Sequence, residues 1–280
     1  MMKTRFEVAA DEDGLRLDQV IPRHVAGLSR RKARAVIDAG GVFVERARVK
    51  VAGRPVRAGQ AIEVNVGGAL DRGPRPAPAI VHTDDHIIVA DKPAGLVTAP
   101  TPESDRGDLL DQLAQRHGEV YLVHRIDLPT SGLLVFARTR EANRRLGDAF
   151  AAHDVDREYL AVAIGAVAAQ TIDRPIEGRR AVTHVEPVEA LAGATLVRVR
   201  LETGRTHQIR IHLAGAGHPV AGDAQHGGEA SRTFVPRPPR LALHAAVLGF
   251  THPATGERVR FVSELPADLA SWVARLRPAA

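Results

Sequence analysis

Residues 124–137 read His124-Arg125-Ile126-Asp127-Leu128-Pro129-Thr130-Ser131-Gly132-Leu133-Leu134-Val135-Phe136-Ala137. The second half of this segment, from Leu133 to Ala137, is apolar and carries no charge, which is typical of a buried strand. The first half is a polar turn, in which Pro129 and Gly132 allow the chain to change direction before the strand begins. Asp127 is the carboxylate of this turn, so we expect an acid at the edge of a buried strand.

Asp127 stands between Ile126 and Leu128, two residues after Arg125. A carboxylate in apolar surroundings is costly unless the fold supplies a cation and hydrogen-bond donors. Two interpretations follow from the residues. In an arbitrary Arg-x-Asp sequence the acid most often caps a turn; the alternative is a functional carboxylate held ready for chemistry.

The segment closely resembles the catalytic motif of the RluA-like pseudouridine synthases, which is usually written His-Arg-Leu-Asp-x-x-Thr-Ser-Gly-Leu-Leu. It departs from that motif at Ile126 and at Leu128-Pro129, where charged residues are common in the family. The family isomerises uridine to pseudouridine in ribosomal or transfer RNA. The resemblance implies that Asp127 is the catalytic aspartate and that no cofactor takes part, because no redox step occurs.

The composition excludes several other kinds of protein. At 280 residues the chain is long enough for one large domain or two, and it contains no cysteine. A disulfide framework, a thiolate nucleophile and a Cys-based zinc site are therefore excluded. The N-terminus lacks the apolar stretch of a signal peptide, and no apolar run approaches the length of a membrane span. We expect a cytoplasmic protein without membrane contact.

The net charge of +5 is unevenly placed along the chain. Residues 1–66 carry 13 Lys and Arg against 8 Asp and Glu, whereas the remainder carries 25 of each. A basic module attached to a neutral body suggests that the module binds an anionic partner. Solvated surface charge without a partner is the alternative interpretation, and the charge distribution alone favours neither.

This basic first quarter has an internal order of its own. Apolar spacing predicts a helix from Leu15 to Ala26, and Ser29 is a suitable N-cap for a second helix from Arg30 to Ala39. Short strands are predicted at Val42–Val44 and Ile62–Val64. Cations crowd the first turns of the second helix, where the helix dipole disfavours them, so RNA phosphate would relieve their repulsion. These expected RNA contacts are Arg30, Arg31, Lys32 and Arg34.

The pattern of the first quarter resembles the small RNA-binding domain named after ribosomal protein S4. The matching residues are Arg16-Leu17-Asp18, Ser29-Arg30, Gly41-x-Val and a final Gly-x-x-Ile-x-Val. Where that domain often has Val-Asn-Gly, this chain has Val44-Glu45-Arg46, an atypical hairpin turn. Residues 67–79 are rich in proline and glycine and predict a linker. We expect an S4-like domain at 1–66, a linker at 67–79 and a catalytic domain at 80–280.

The larger domain opens with a predicted buried strand, Ile87–Ala90, and a turn, Lys92-Pro93-Ala94-Gly95-Leu96, which together resemble the family's first motif. Lys92 either contacts an RNA phosphate or ties down this turn. Helices are predicted at Asp108–Arg116, Thr139–Ala152 and Ala267–Leu276, the last with Trp272 in the core.

Tyr159 begins a predicted strand that runs to Gly165. A tyrosine at a strand end usually belongs to core or edge packing. The family, however, has Lys-x-Tyr before an alanine-valine strand, and its tyrosine lies against the target base; here Arg157 replaces the lysine. The resemblance implies that Tyr159 stacks on an extruded base and that its phenol assists proton transfer.

A third signature, Thr203-Gly204-Arg205-Thr206-His207-Gln208-Ile209-Arg210-Ile211-His212, resembles the family's Thr-Gly-Arg-x-His-Gln-Ile-Arg-x-His. Its apolar alternation suits a strand, whereas Thr206 is a capable helix N-cap, so both remain open. Arg205 and Arg210 are five positions apart, so their side chains point in different directions whether the segment is a strand or a helix. The family pairs its second arginine with the aspartate, so we expect Arg210 beside Asp127 and Arg205 in an RNA or structural contact. Arg125 and His207 are expected to contact RNA.

His207, His212 and His218 raise the alternative of a metal site. Their spacings of five and six do not place the side chains on one helix face, and no acid stands among them at ligand spacing, so we expect no metal. In the following loop, His226 stands where relatives typically have tyrosine, which leaves the substrate contacts of that loop open.

Together these segments predict an α+β protein: a small S4-like domain of two helices and short strands, and a larger synthase domain on a mixed, mainly antiparallel sheet. Asp127 is the expected nucleophile; attack on carbon 6 of the base, attack on the ribose and elimination to a glycal all remain open. We expect a monomer that acts on large-subunit (23S) ribosomal RNA, because relatives with the N-terminal module mostly act there. The alternatives are transfer RNA as substrate, a non-catalytic RNA-binding or ribosome-assembly protein, and a metal-dependent RNA hydrolase.

Overall fold

The computed structural model describes residues 2–38, 40–66, 77–99 and 108–278, which fall into two units. The first unit holds the described residues up to 66 and Asp108, and the second holds 77–99 and 109–278. The predicted linker, 67–79, lies outside the described residues as far as 76, and Ala79 already belongs to a strand. The expected domain boundaries stay a prediction.

The N-terminal unit packs its helices on a small antiparallel sheet, because the apolar side of each helix must be buried. Its elements are β1 (Met2–Glu7), α1 (Leu17–His24), α2 (Arg30–Asp38), β2 (Val42–Val44), β3 (Ala47–Val49) and β4 (Ala61–Val66), with the strands in the order β1-β4-β2-β3. The shared core includes Leu17, Val20, Ile21, Val36, Ile37, Ile62 and Val64, all fully buried. Both predicted helices and both predicted strands are confirmed, and β1 and β3 are added to them.

Two local predictions in this unit have clear outcomes. Ser29 caps α2 as expected, because its hydroxyl accepts the backbone N–H of Lys32 at 3.3 Å. The atypical turn between β2 and β3 places Glu45 and Arg46 at φ 51° and 65°, a left-handed conformation in which asparagine and glycine are usual. The Glu45 carboxylate accepts the N–H of Ala61 at 2.6 Å, which ties this strained turn to β4.

The second unit is built on a sheet that, within the described residues, has ten strands. Its elements in chain order are β5 (Ala79–Thr83), β6 (Ile87–Lys92), α3 (Leu109–His117), β7 (Tyr121–Leu122), β8 (Ser131–Ala137), α4 (Arg140–Ala151), β9 (Val155–Ile164), β10 (Gln170–Asp173), β11 (Val182–Leu191), β12 (Ala194–Leu201), α5 (Gln208–Gly215), α6 (Gly228–Thr233), β13 (Leu243–Thr251), β14 (Arg258–Val262) and α7 (Ala267–Ala274). The three helices predicted in this domain are confirmed to within two residues at each end.

The strand order is β10-β11-β12-β9-β13-β8-β6-β5, with β14 added to β13 and β7 to β8. The described pairings are antiparallel except that of β8 with β13, which is parallel. The predicted α+β fold with a mixed, mainly antiparallel sheet is therefore confirmed. Strand β9 begins at Val155, four residues before the predicted start at Tyr159. The sequence did not indicate these residues as a strand because Asp156, Arg157 and Glu158 form a charged run.

Strands β6 and β8 are interior strands of this sheet, near its β5 edge, and are buried on both faces. Alternate residues of β8 enter different cores: Leu133 and Val135 pack with α4, whereas Leu134 and Phe136 pack with α3. A strand covered on both faces needs an uninterrupted apolar run rather than alternation. That requirement explains the composition of residues 133–137.

The other half of the second unit forms its own core. Helices α5 and α7 contribute Ile209, Leu213 and Trp272, which pack with residues of β9, β11, β12 and β13. Trp272 is fully buried, as predicted, and its indole N–H donates to the carbonyl of Pro236 at 2.9 Å. This core holds α5 against the sheet.

Gly132 is required where β8 meets β13. The two strands pair at His244 with Ser131 and at Ala245 with Gly132. A Cβ on Gly132 would lie 2.3 Å from the carbonyl oxygen of Ala245, and Gly132 has φ 119°, so no other residue fits without a backbone shift. This close approach positions the turn that precedes β8.

Candidate active site

Backbone contacts on both sides hold the turn that carries Asp127. The Thr98 hydroxyl donates to the carbonyl of Ile126 at 3.1 Å, and the N–H of Gly95 donates to the carbonyl of Leu128 at 2.8 Å. The Asp127 carbonyl itself accepts the N–H of Thr130 at 3.1 Å. The side chain of Asp127, which is 24% exposed, therefore lies on a turn that hydrogen bonds from residues 92–98 hold in place.

Lys92 also helps to hold this turn in place. Its ammonium is fully buried and donates to three carbonyls, those of Pro93 at 3.1 Å, Leu96 at 2.8 Å and Leu128 at 3.3 Å. Burial lowers the pKa of Lys92 to about 7, while the negative charge of Asp127 raises it. Because the ammonium is fully buried, the geometry favours the interpretation in which Lys92 ties down the turn over the one in which it contacts an RNA phosphate.

Arg210 links two carboxylates. Its Nη1 donates to Asp127 Oδ2 at 3.2 Å, and its Nε and Nη2 donate to the two oxygens of Asp223, each at 2.8 Å. Burial raises the pKa of Asp223, but Arg210 and the amides of His226 and Gln225 outweigh it and lower the pKa to about 2. The expected pairing of Arg210 with Asp127 is thus present in the structure.

Asp223 is the residue of this site that the sequence analysis did not assign. It is 1% exposed, and its Oδ1 also accepts the backbone N–H groups of Gln225 and His226, each at 3.0 Å. In the sequence it stands three residues before His226, in the loop whose substrate contacts were left open. An acid directly after a glycine and close to a signature arginine was the available signal.

Arg205 lies apart from this pair, as expected. Its Nε donates to the carbonyl of Arg180 at 3.0 Å. The strand-or-helix question is answered by α5, which begins at Gln208, so that Arg210 is helical and Arg205 precedes the helix. The proposed N-cap is wrong: the position belongs to His207, in a left-handed conformation at φ 55°, rather than to Thr206.

A cavity of about 330 Å³ opens beside Asp127. Its wall includes the site residues Arg125, Asp127, Tyr159, Arg205, His207 and Arg210. Burial raises the pKa of Tyr159, an effect that the Arg157 charge opposes, so the phenol is neutral at physiological pH. Arg125 is exposed at this cavity. The sequence-predicted catalytic residues thus share one cavity with three of the expected RNA contacts.

Arg157 and His124 support the wall of the cavity. Arg157 Nη2 donates to the carbonyl of Glu202 at 3.1 Å, and its guanidinium lies over the Phe150 ring at 5.6 Å. His124 stacks on the same ring at 4.5 Å, and its Nε2 accepts the N–H of Val135 at 3.1 Å. Burial and then the Arg157 charge lower the pKa of His124 to about 3, so this imidazole stays neutral and acts as a support.

His207 faces both Asp127 and a second histidine. Its Nε2 is 3.9 Å from Asp127 Oδ1, and its Nδ1 is 2.9 Å from Nε2 of His226.

The other two histidines considered for a metal make hydrogen bonds elsewhere: His212 with Thr183 and the carbonyl of Arg174, and His218 with the carbonyl of Ile164. In the described ranges, no three His, Asp or Glu side chains are grouped so as to hold a metal ion.

In the N-terminal unit, two of the expected RNA contacts converge on a buried acid. Arg30 and Arg34 place Nε at 3.3 and 2.6 Å from Oδ2 of Asp18, which Arg16 also contacts at 3.2 Å. Asp18 is fully buried, whereas the three arginine side chains are 44–51% exposed. One negative charge thus holds three cations in a fixed, partly exposed group. Arg31 and Lys32 lie on the first turn of the same helix, α2.

Comparison with known proteins identifies the family. The family model described as RNA pseudouridylate synthase matches residues 86–215, and the S4 domain model matches residues 15–62. The ribosomal large subunit pseudouridine synthase D of Xanthomonas campestris is 36% identical over 94% of this chain and 89% of its own length. The chain belongs to the RNA pseudouridine synthase family. Its resemblance to these synthases and to the S4 domain, drawn from the motifs, is confirmed.

Two further relatives support this assignment. The ribosomal large subunit pseudouridine synthase D of Pseudomonas aeruginosa is 40% identical over 71% of each chain. The solved structure of human RNA pseudouridylate synthase domain containing 4 superimposes with a TM-score of 0.58 over 74% of this chain and 94% of its own, at 23% identity, which supports the fold. This pseudouridine synthase is therefore an isomerase that acts on RNA. None of the helices within its described ranges has the length and hydrophobicity of a membrane span.

Proposed function

We propose that this pseudouridine synthase converts uridines of large-subunit ribosomal RNA to pseudouridine, with Asp127 as nucleophile and without a cofactor. The observation that carries the proposal is the contact of Asp127 with the buried Arg210 at the wall of the cavity. A guanidinium remains charged at all physiological pH values, so a permanent positive charge lies beside the Asp127 carboxylate. An ionised carboxylate is a suitable nucleophile or base at a glycosidic carbon or a pyrimidine ring.

The cavity is suited to an extruded base. A volume of about 330 Å³ lies at the lower end of the range for small-ligand sites. The Tyr159 ring at its wall offers an aromatic face for stacking, which is independent of base identity.

The remaining cations fit contacts to flanking RNA. Arg125 and Arg205 lie at the cavity, where they can meet the phosphates on either side of an extruded nucleotide. The arginines around Asp18 form a second basic group, on the unit that carries the whole net charge of the chain. Such a group strengthens binding to any RNA, so it adds affinity rather than sequence selection.

The choice of large-subunit ribosomal RNA is supported by the names of the relatives that the chain matches over most of its length. Mapping of pseudouridines in a strain that lacks this protein tests it directly. We expect specific sites to disappear from large-subunit ribosomal RNA and to return when the wild-type gene is supplied. Loss of sites from transfer RNA alone would contradict the proposal.

Purified protein tests the chemistry. Conversion of a uridine to pseudouridine releases the hydrogen at carbon 5, so tritium placed there should enter the solvent at the target site. The release should persist after treatment with a chelator, whereas a metal-dependent RNA hydrolase would lose its activity and would cut the strand. Absence of release from both ribosomal and transfer RNA would favour a non-catalytic RNA-binding role. The cytoplasmic location and the monomeric state stay predictions.

A further inference from the structure

His207 and His226 form a pair that reaches from the Asp127 cavity to the following loop. The Nδ1 of His207 and the Nε2 of His226 are 2.9 Å apart, and the rings meet edge to face with centroids at 5.0 Å. The other nitrogen of His207, Nε2, faces Asp127 Oδ1 at 3.9 Å, a distance too long for a direct hydrogen bond. His207 therefore presents one free ring nitrogen to the cavity and shares the other with His226.

Formation of pseudouridine requires a proton carrier. The reaction breaks the bond between N1 of the base and the ribose and makes a bond from carbon 5 to the same ribose carbon. The base must then lose the hydrogen at carbon 5 and gain one at N1. In this last step the C5–H electron pair forms the C5–C6 double bond, the C6–N1 double-bond pair moves to N1, and one proton is transferred from carbon 5 to N1.

The other groups at the cavity are poorly suited to accept this proton. Arg210 cannot act as a base, because guanidinium does not lose its proton in proteins. Burial raises the pKa of Tyr159, so its phenolate is scarce near neutral pH. Asp127 is already engaged with Arg210 and is the proposed nucleophile. His207 has a nitrogen that points into the same space, and imidazole is the side chain best matched to proton transfer near neutral pH.

Burial favours the neutral form of the His207 imidazole, and the charges around it act in both directions. Burial lowers the pKa of His207, as do the nearby Arg210 and His226, while Asp127 and Asp223 raise it. These four residues come from the turn before β8, from α5 and from the loop that follows α5. A neutral imidazole carries one proton, and the contact with His226 determines which nitrogen carries it.

We propose that His207 carries the proton of this last step, taking it from carbon 5 at Nε2 and returning it to N1, and that His226 is the positioning residue that holds the required tautomer. With the proton of His207 on Nδ1 and donated to His226, Nε2 is an acceptor toward the base. His226 is itself fixed, because its backbone N–H donates to Asp223 Oδ1 at 3.0 Å, the carboxylate that also anchors Arg210. Nucleophile, cation and proton carrier thus depend on one buried acid.

This inference rests on the proposed use of the Asp127 cavity, so its test must separate the two. RNA with deuterium at carbon 5 of the target uridine provides the readout, because it slows only steps in which that bond breaks. In His207→Gln we expect turnover to fall by about 100-fold or more, KM to change little, and the ratio of rates for hydrogen and deuterium to rise above that of the wild type. The acidic limb that protonation of His207 gives to the pH–rate profile should disappear.

A lower rate with an unchanged isotope ratio would show that His207 merely shapes the cavity and would overturn the inference. His226→Gln retains an acceptor for the Nδ1 proton and should stay close to wild type, whereas His226→Phe removes it and should lower kcat. Equal rates for these two variants would overturn the positioning role. His117→Gln on α3, outside the cavity, is the matched control. Full activity of Asp127→Asn would instead refute the proposed nucleophile, whatever the result at His207.

Discussion

The guanidinium of Arg210 makes two parallel hydrogen bonds to the carboxylate of Asp223, each 2.8 Å long, with the arginine 5% and the aspartate 1% exposed. This two-point contact uses Nε and Nη2 and leaves Nη1 for Asp127. The cation of the site is therefore oriented before any RNA binds. Preorganised charge of this kind costs no rearrangement during the reaction, which is the main advantage of such an arrangement for catalysis.

Replacement of Arg210 by methionine should affect both stability and activity. The change leaves Asp223 buried without its cation, and breaking a buried ion pair typically costs about 3–5 kcal/mol. The double variant Arg210→Met, Asp223→Asn should regain much of the free energy of unfolding but none of the activity, because Asp127 still lacks its cation. Chemical unfolding and tritium release measure the two effects separately. Recovery of turnover in the double variant would show that Arg210 acts only through folding.

Arg205→Met is the matched control for that experiment, since it removes the other arginine of the same signature. Arg205 does not contact Asp127 and instead donates to the carbonyl of Arg180. We expect KM for RNA to rise with kcat largely retained. The reverse pattern, in which Arg205→Met abolishes turnover and Arg210→Met mainly raises KM, would show that the two assignments must be exchanged.

Asp127→Asn should abolish pseudouridine formation without unfolding the protein. The substitution keeps the volume of the side chain and removes its charge, and the side chain is 24% exposed, so little stability depends on it. Arg210 also retains its contact with Asp223. Thermal unfolding should be close to that of the wild type. Turnover within tenfold of wild type would refute the nucleophile assignment.

The Asp223 ion pair should also appear in acid unfolding. Burial alone raises the pKa of Asp223, but Arg210 and the two amides lower it to about 2, below the ordinary value near 3.9 of an unfolded chain. A group whose pKa is lower in the folded state stabilises the protein above its unfolded pKa, and this contribution is lost as the pH falls toward 2. The stability difference between wild type and Asp223→Asn should therefore be constant near neutral pH and shrink below about pH 4. A difference that stays constant down to pH 2 would contradict the ion pair.

The sequence located the residues that line the cavity more completely than the residues that hold them in place. Asp127, Tyr159 and Arg210 stand in contiguous signatures, so a local pattern identified them. Lys92 was ambiguous because a lysine in a turn can face either RNA or carbonyl oxygens, and burial depends on residues that lie 36 positions away, at Leu128. Asp223 was missed because its partner Arg210 lies 13 positions earlier in the chain, and the glycine and the arginine near it do not by themselves indicate an ion pair.

The fold shows the same division between local and distant information. Strand β8 was evident from five successive apolar residues, whereas the start of β9 was hidden by three successive charged residues, Asp156, Arg157 and Glu158. The parallel contact between β8 and β13 joins residues more than a hundred positions apart, such as Ser131 and His244, and no local pattern encodes it. Gly132 hinted at a sharp turn, but the reason for it, the carbonyl of Ala245, emerges from the tertiary fold.

Gly132→Ala tests that close approach. A Cβ at this position would lie 2.3 Å from the Ala245 carbonyl oxygen, so the strands must separate and the protein should lose at least about 1–3 kcal/mol. Gly147→Ala is the matched control, because Gly147 lies within α4 and a Cβ there would meet nothing within 4 Å. That variant should be more stable than wild type by about 0.5–1 kcal/mol. Equal stabilities in chemical unfolding would contradict the packing at Gly132.

The arginines that surround Asp18 are expected to bind RNA phosphate. Arg30 and Arg34 contact this buried acid, yet about half of each side chain remains exposed, so both can also meet phosphate. Neutralising them together as Arg30→Gln, Arg34→Gln should weaken RNA binding and lower the slope of log K against log salt, by about one for each RNA phosphate that is no longer neutralised. Arg277→Gln, which removes one exposed cation near the C-terminal end of the second unit, is the control and should leave the slope unchanged. RNA binding measured across a salt titration tests this contact. A double variant with the wild-type slope would mean that these arginines stabilise the fold of the N-terminal unit and do not contact RNA.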